Sequence, residues 1–182
     1  MTSPSPSLPA PSTLPHGTDA ELTHVLDLLF EPSPPLRTIT LPVLRSATFP
    51  SYDVLITAVN AQLNALAASS DPAQLHTLSE ILCAHPRLGE KKVDSEQSRK
   101  EQAQLNQGGN DGEAEELKRL NREYEDRFPG LRYVVFVNGR ARPAIMQNMQ
   151  MRIDRGDVVA ERNDAIQAMC DIARDRAAKL QT

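Results

Sequence analysis

The chain has 182 residues, 40% of them hydrophobic and 24% charged, with a formal net charge of −4. That length and balance fit one globular domain whose core needs no disulfide or metal staple, and the mild negative charge argues against an electrostatic grip on nucleic acid or an anionic membrane. No apolar run approaches the roughly 20 residues that span a bilayer, and no basic stretch followed by an apolar core marks a secretory signal, so a secreted protein is not expected.

Residues 1–15 carry Pro4, Pro6, Pro9, Pro11 and Pro15 among serines, a composition that predicts a flexible arm rather than helix or strand. The domain proper runs over 16–182. It opens with Thr18-Asp19-Ala20-Glu21, the pattern of a capping box, followed by Leu22, Val25, Leu26 and Leu29 on one helical face. Pro32, Pro34 and Pro35 stop that helix. Residues 36–49, holding Pro42, read as an irregular connection. A second helix starts at Pro50-Ser51 and runs to about Ala68, with Val54, Leu55, Ala58, Val59, Leu63 and Leu66 inward. Asp71-Pro72-Ala73-Gln74 combines an Asx N-cap, a proline at the first helical position and a glutamine three residues after the cap. Leu75, Leu78 and Leu82 follow, and the helix ends near His85 because Pro86 disfavours helical geometry in its predecessor.

Ser95 to Gln107 reads as a polar helix, broken by the glycines and Asn110 of 108–112. Glu113 to Phe128 is amphipathic, with Leu117, Leu120, Tyr124 and Phe128 in register, and Pro129-Gly130 closes it. Tyr133-Val134-Val135-Phe136-Val137, bounded by Asn138-Gly139, reads as one buried extended segment. Helices over about 142–154 and 158–180 complete the chain, the last with Ala165, Ile166, Met169, Cys170, Ile172, Ala173, Ala177 and Leu180 inward. The sum is an all-α, single-domain bundle of about seven to eight helices with one short extended segment.

Dinucleotide, P-loop, nucleophile-elbow and HExxH motifs are absent. His16, His24, His76 and His85 show no i, i+4 pair, so a metal site is not expected. Cys83 and Cys170 form no CxxC pair and read as small buried hydrophobes in a reducing, intracellular setting. Ala178-Lys179-Leu180 resembles a peroxisomal tripeptide, but Gln181 and Thr182 follow it. Arg152, Arg155, Arg162, Arg174 and Arg176 read mostly as wet helix faces, and Met146, Met149 and Met151 as core filling.

Two polar places stand out. His85, in Ala84-His85-Pro86-Arg87-Leu88-Gly89, sits where an apolar helix opens into a loop; it either caps the last carbonyls or transfers protons near neutral pH. Ser98, Glu101 and Gln102 share one helical face, which is either a solvated surface or a cluster of hydroxyl, carboxylate and amide aimed at a ligand.

In this order, His85-Pro86-Arg87-Leu88-Gly89, Ser98-x-x-Glu101-Gln102, Leu120-Asn121-x-x-Tyr124-x-x-Arg127-Phe128, the Tyr133-Val134-Val135 run and a final helix with Glu161, Ala165-Ile166, Ile172 and Arg176 resemble the 2-oxo-4-hydroxy-4-carboxy-5-ureidoimidazoline (OHCU) decarboxylase family. The resemblance spans roughly 14–180 and is weaker at the start, where Leu14-Pro15 and Leu28-Leu29-Phe30-Glu31 carry it. It differs at Ala103-Gln104-Leu105, where the family has Ala-Gly-Leu, and by one extra residue between Phe128 and Tyr133.

The resemblance implies an all-α bundle that decarboxylates its ureidoimidazoline substrate to (S)-allantoin in urate degradation. It implies His85 as the catalytic residue with Glu101 as its partner, and Pro86, Ser98, Gln102, Tyr133, Val135 and Arg176 as substrate contacts, Arg174 being the near neighbour that competes for the last role. No cofactor is implied, because the substrate ring carries its own electron sink. A carboxylate beside His85 would raise its pKa. A small-molecule substrate, a homodimer, and a cytoplasmic or peroxisomal setting are the further expectations. Two other readings stay open here: an inactive scaffold serving as a binding module, and a lyase or hydrolase for a related ureido compound.

Overall fold

Thr18 starts the first helix as its residues dictate. Its Oγ1 accepts from the Glu21 N–H at 3.3 Å while Glu21 Oε2 accepts from the Thr18 N–H at 2.7 Å, which satisfies two of the donors a helix start leaves unpaired. The computed structural model describes residues 7–90, 95–106 and 111–181. Among these it contains eight α-helices and no strand: α1 (Asp19–Phe30), α2 (Pro34–Ser46), α3 (Tyr52–Ala67), α4 (Pro72–Leu82), α5 (Glu96–Asn106), α6 (Asp111–Arg127), α7 (Arg142–Arg155) and α8 (Val158–Leu180). The all-α, single-domain expectation holds.

The helix α2 corrects the irregular connection expected over 36–49. Ser33 caps it, its Oγ accepting from the Leu36 N–H at 3.4 Å, and Pro34 and Pro35 occupy the first turn, where no N–H is needed. The prolines that stop α1 therefore start α2. Pro42 is tolerated on its exposed side, while Leu36, Thr40 and Leu44, four apart, turn inward. In α3, Ile56 is buried and Val54 is 44% exposed, against the inward placement expected of Val54. The helix α4 ends at Leu82, three residues before His85. Of the break expected at 108–112, residues 108–110 lie outside the described residues.

The helix α8 is the centre of the bundle and packs on α1 and α3, while α6 pairs with α7. Along α8, Ala165, Ile166, Met169, Cys170 and Ala173 are buried. Tyr124, Phe128 and Tyr133 form an aromatic cluster with ring centroids 5.1 and 5.6 Å apart, in tilted and edge-on contacts that add to simple burial. Cys170 is buried as expected, Cys83 only partly so, and Met149 is in the core while Met151 is exposed.

The N-terminal arm is not loose where it is described, although residues 1–6 lie outside that range. Pro11–His16 wind into a 3-10 turn, Leu14 is buried, Tyr52 donates its hydroxyl to the Pro9 carbonyl at 2.9 Å, and the Leu8 N–H reaches the Leu180 carbonyl at 3.1 Å. Proline removes donors but not apolar surface, and Leu14 anchors the segment. No helix among the described residues is long and apolar enough to cross a membrane.

The segment over 131–137 is extended and has no strand partner among the described residues. Side chains hold it instead. Arg152 Nη1 donates to the Val134 carbonyl at 3.0 Å, and the Tyr133 hydroxyl donates to Asn148 Oδ1 at 2.6 Å.

Candidate active site

Beyond α4 the chain turns through 83–90, and four side chains fix the turn. Arg132 Nη1 donates to the carbonyls of Cys83 at 2.8 Å and His85 at 3.3 Å, so Arg132, not His85, serves the end of α4. Gln102 Oε1 accepts from the Gly89 N–H at 2.9 Å and its Nε2 donates to the Arg87 carbonyl at 3.0 Å. Asn121 Nδ2 donates to the Leu88 carbonyl at 2.9 Å. Arg87 pairs with Glu125 through Nε and Nη2 at 2.5 and 2.8 Å. Gly89 is needed as glycine: its φ is +83°, and a Cβ there would stand 2.7 Å from Leu117 Cδ2.

This turn, α5, the extended segment and the end of α8 enclose a cavity of about 200 Å³. His85, Pro86, Ser98, Glu101, Gln102, Tyr133 and Val135, brought together from three stretches of sequence, all line it. Arg176 does not line it; it lies behind, 2% exposed. Arg174 is engaged elsewhere: its Nε donates to Asp53 Oδ1 of α3 at 2.7 Å.

Behind the cavity lies a buried network. Arg176 meets Glu101 edge-on, with Nε to Oε1 at 2.8 Å and Nη2 to Oε2 at 2.9 Å, a paired geometry that fixes direction as well as charge. The same Nη2 lies 2.7 Å from Glu31 Oε1 and 3.1 Å from Ser98 Oγ. Ser98 donates its hydroxyl to Glu31 at 2.5 Å, and Ser95 does so at 3.0 Å. Burial works to raise the Glu31 pKa, but Arg176 and the two serine hydroxyls outweigh it and hold the carboxylate below its usual range.

His85 is 5% exposed and its Nε2 is buried with no hydrogen-bond partner. Burial pushes its pKa down to about 4, Arg176 pushes the same way, and Glu31 opposes both. This corrects the raised pKa expected from a neighbouring carboxylate: Glu101 is engaged by Arg176, and the pull of Glu31 is smaller than the cost of burying an imidazolium. His85 is therefore a neutral imidazole near pH 7.

Several side chains do other than the sequence suggests. The amide of Gln102 is engaged on the 87–89 turn. The Tyr133 hydroxyl is turned away to Asn148, so its contribution to the cavity is ring and backbone. Glu31, which the sequence marks only through the Leu28-Leu29-Phe30-Glu31 segment of the resemblance and not as a site residue, joins this network; the available signal is a carboxylate directly after Leu28-Leu29-Phe30, at the inner end of an apolar face. Arg152, read with the wet helix faces, and Arg176, which the resemblance makes a substrate contact, are buried ion-pair partners. Among the described residues no group of three or more His, Cys, Asp or Glu is placed to hold a metal ion.

The family model for OHCU decarboxylase matches residues 16–178. The chain belongs to the OHCU decarboxylase family. It is 33% identical over 111 residues to the uric acid degradation bifunctional protein PucL of Bacillus subtilis (strain 168), a match covering 60% of this chain and 22% of PucL. Its fold is similar to the crystal structure of (S)-allantoin synthase, with a TM-score of 0.60 at 21% identity, covering 91% of this chain and 52% of that one. The chain thus spans about a fifth of PucL and about half of the synthase chain. As an OHCU decarboxylase family member it carries its cavity where the turn after α4, α5 and the end of α8 converge on the extended segment.

Proposed function

We propose that this chain decarboxylates 2-oxo-4-hydroxy-4-carboxy-5-ureidoimidazoline to (S)-allantoin in urate breakdown, with His85 as its acid–base group. The observation that carries this reading is the buried His85, its Nε2 unpartnered, beside Ser98, Glu101 and Gln102 in one small cavity.

Decarboxylation breaks the bond between the ring carbon and its carboxylate. Carbon dioxide leaves, and the electron pair stays on the ring, where the conjugated carbonyl and nitrogen system accepts it. The hydroxyl on the same carbon gives up its proton as it becomes a carbonyl, the neighbouring ring carbon gains one, and the ring nitrogen that accepted the electron pair takes one more from solvent. A neutral imidazole takes the hydroxyl proton. The imidazolium so formed is disfavoured by burial and by Arg176, which makes it a strong acid that hands the proton on. The protein's other task is to hold the ring in one orientation. Polar groups of α5 and the extended segment both line the cavity and hold the ring, so proton delivery from His85 reaches one face and one hand of product forms.

The same reading takes in a small-molecule substrate, no nucleic-acid or membrane partner, a homodimer, and a cytoplasmic or peroxisomal setting. The net charge of −4 supports the absence of a nucleic-acid or membrane partner, and the free Cys83 and Cys170 support the setting.

The test generates the unstable substrate in place with urate oxidase and hydroxyisourate hydrolase and follows optically active allantoin by circular dichroism. Fast formation of one enantiomer by wild type, lost in His85→Ala, is the expected result. No acceleration by folded wild type would sink the decarboxylase reading and leave a binding module or a related ureido substrate.

A further inference from the structure

Glu31 stands out from the rest of the network in its backbone. It ends α1 with φ 74° and ψ 152°, a conformation that glycine adopts freely and that costs any residue with a Cβ. A glutamate held there needs compensation from its side chain. That side chain is 4% exposed and its Oε1 collects Ser95, Ser98 and Arg176.

Arg176 thus lies between two carboxylates that differ in place. Glu31 is the inner one, sealed from the cavity. Glu101 is the outer one: its side chain is 30% exposed and it lines the cavity. A ligand reaches Glu101 and not Glu31. Two carboxylates on one guanidinium also leave a surplus negative charge next to a cavity that, on the reading above, receives a carboxylate-bearing substrate.

We propose that Glu31 is a positioning residue for the decarboxylation: it anchors Arg176 from behind, so that Glu101 leaves the guanidinium for the N–H groups of the substrate without releasing Arg176. The exchange is one for one. Glu101 trades two guanidinium N–H donors for ring or ureido N–H donors, and the vacated Nε and Nη2 edge of Arg176 is offered to a substrate oxygen. Glu31 and Ser98 keep that edge aimed while it happens. The proposal rests on the decarboxylase reading, since it requires a substrate bearing both N–H groups and an anionic oxygen.

The test uses the full chain in the coupled assay, with Glu31→Gln, Glu101→Gln and the double variant, each checked for its helical spectrum and thermal midpoint. Glu31→Gln keeps the size and removes the charge, and kcat/KM should fall about tenfold to a hundredfold, as for a misaimed group near the reacting atoms. Because Glu31 acts through the same guanidinium as Glu101, adding Glu31→Gln to Glu101→Gln should cost less than about threefold more. Losses that multiply in full would overturn the proposal, as would Glu31→Gln at the wild-type rate. If Glu31→Gln does not fold, Glu31→Gly is the second variant, because glycine suits the backbone there and still lacks the carboxylate. A folded, slow Glu31→Gly supports the proposal. Failure of both to fold assigns Glu31 to stability alone and overturns it. Inactive wild type removes the decarboxylase reading itself, a result distinct from activity that Glu31 does not affect.

Discussion

The guanidinium of Arg152 lies against the carboxylate of Glu161 with Nε 2.8 Å from Oε1 and 3.1 Å from Oε2, both side chains buried. Glu161 also accepts from the Tyr124 hydroxyl at 2.5 Å and from Arg155 Nη2 at 3.0 Å. Arg152 in turn covers the Tyr133 ring, 4.7 Å from its centroid, and holds the Val134 carbonyl. This pair supports the extended wall of the cavity from the side that substrate does not see. Glu161→Gln leaves Arg152 buried without its carboxylate and should cost about 3–5 kcal/mol in urea unfolding, whereas Arg152→Met leaves Glu161 still held by Arg155 and Tyr124 and should cost less. A double replacement by apolar residues should cost less than the two single losses combined; additive losses would refute the pairing.

The pH dependence of stability has a sign set by His85. The unfolded chain binds a proton on this imidazole below its ordinary value of 6.5, but the folded chain does not until about pH 4. In that window the unfolded state carries more protons, so stability is full above about pH 6.5 and declines as pH falls towards 4. A difference of this size is worth roughly 3 kcal/mol. Glu31, whose pKa is lowered, adds a loss of the same sense beginning below 4.5. His85→Gln should flatten the slope between pH 6.5 and 4.5 in urea titrations and leave the fall below it. An unchanged slope would show that His85 is not the buried neutral group.

The strap across the 87–89 turn tests whether the loop after α4 is preset. Gln102→Leu loses both bonds to the turn while still filling space, and Gly89→Ala places a methyl into Leu117 at an unfavourable φ. Each should destabilise by about 1–3 kcal/mol. In the coupled assay both should lose more activity than an exposed control such as Lys118→Ala. Activity equal to the control would show that Pro86 and His85 are held without the strap.

Leu14 tests the docked arm. A buried leucine cut to alanine typically costs about 2–5 kcal/mol, whereas the same change in a loose arm costs nothing measurable. Leu14→Ala should therefore lower the urea midpoint clearly, and an unchanged midpoint would return the arm to solvent.

The features legible in the sequence are the local ones. Thr18, Ser51 and Asp71 announce helix starts because a cap is a relation between residues two or three apart, and the period of α8 shows its core face directly. The helix α2 was hidden because its prolines serve as a stop for one helix and a start for the next, and only Ser33 with Leu36, Thr40 and Leu44 distinguishes the second role. The cavity residues from His85 to Val135 were found as an ordered set. Their connections were not: Arg176 and Glu31 stand 145 positions apart, and nothing local says that a charged residue on α8 has a buried partner. The direction of the His85 pKa failed for the same reason, since it depends on which carboxylate faces it and how deeply it is buried.

The hydrogen bond from Leu8 to Leu180 fastens one end of the described chain to the other. The last helix has its terminal carbonyl covered by a residue from before the first, so the path of the backbone is nearly a ring. A short Gly/Ser bridge could join the two ends, and a new opening could be cut in an exposed connection, for instance between α3 and α4 near Ser70, away from the cavity. Such a permuted chain would keep every contact of the site while reversing which helix is made first.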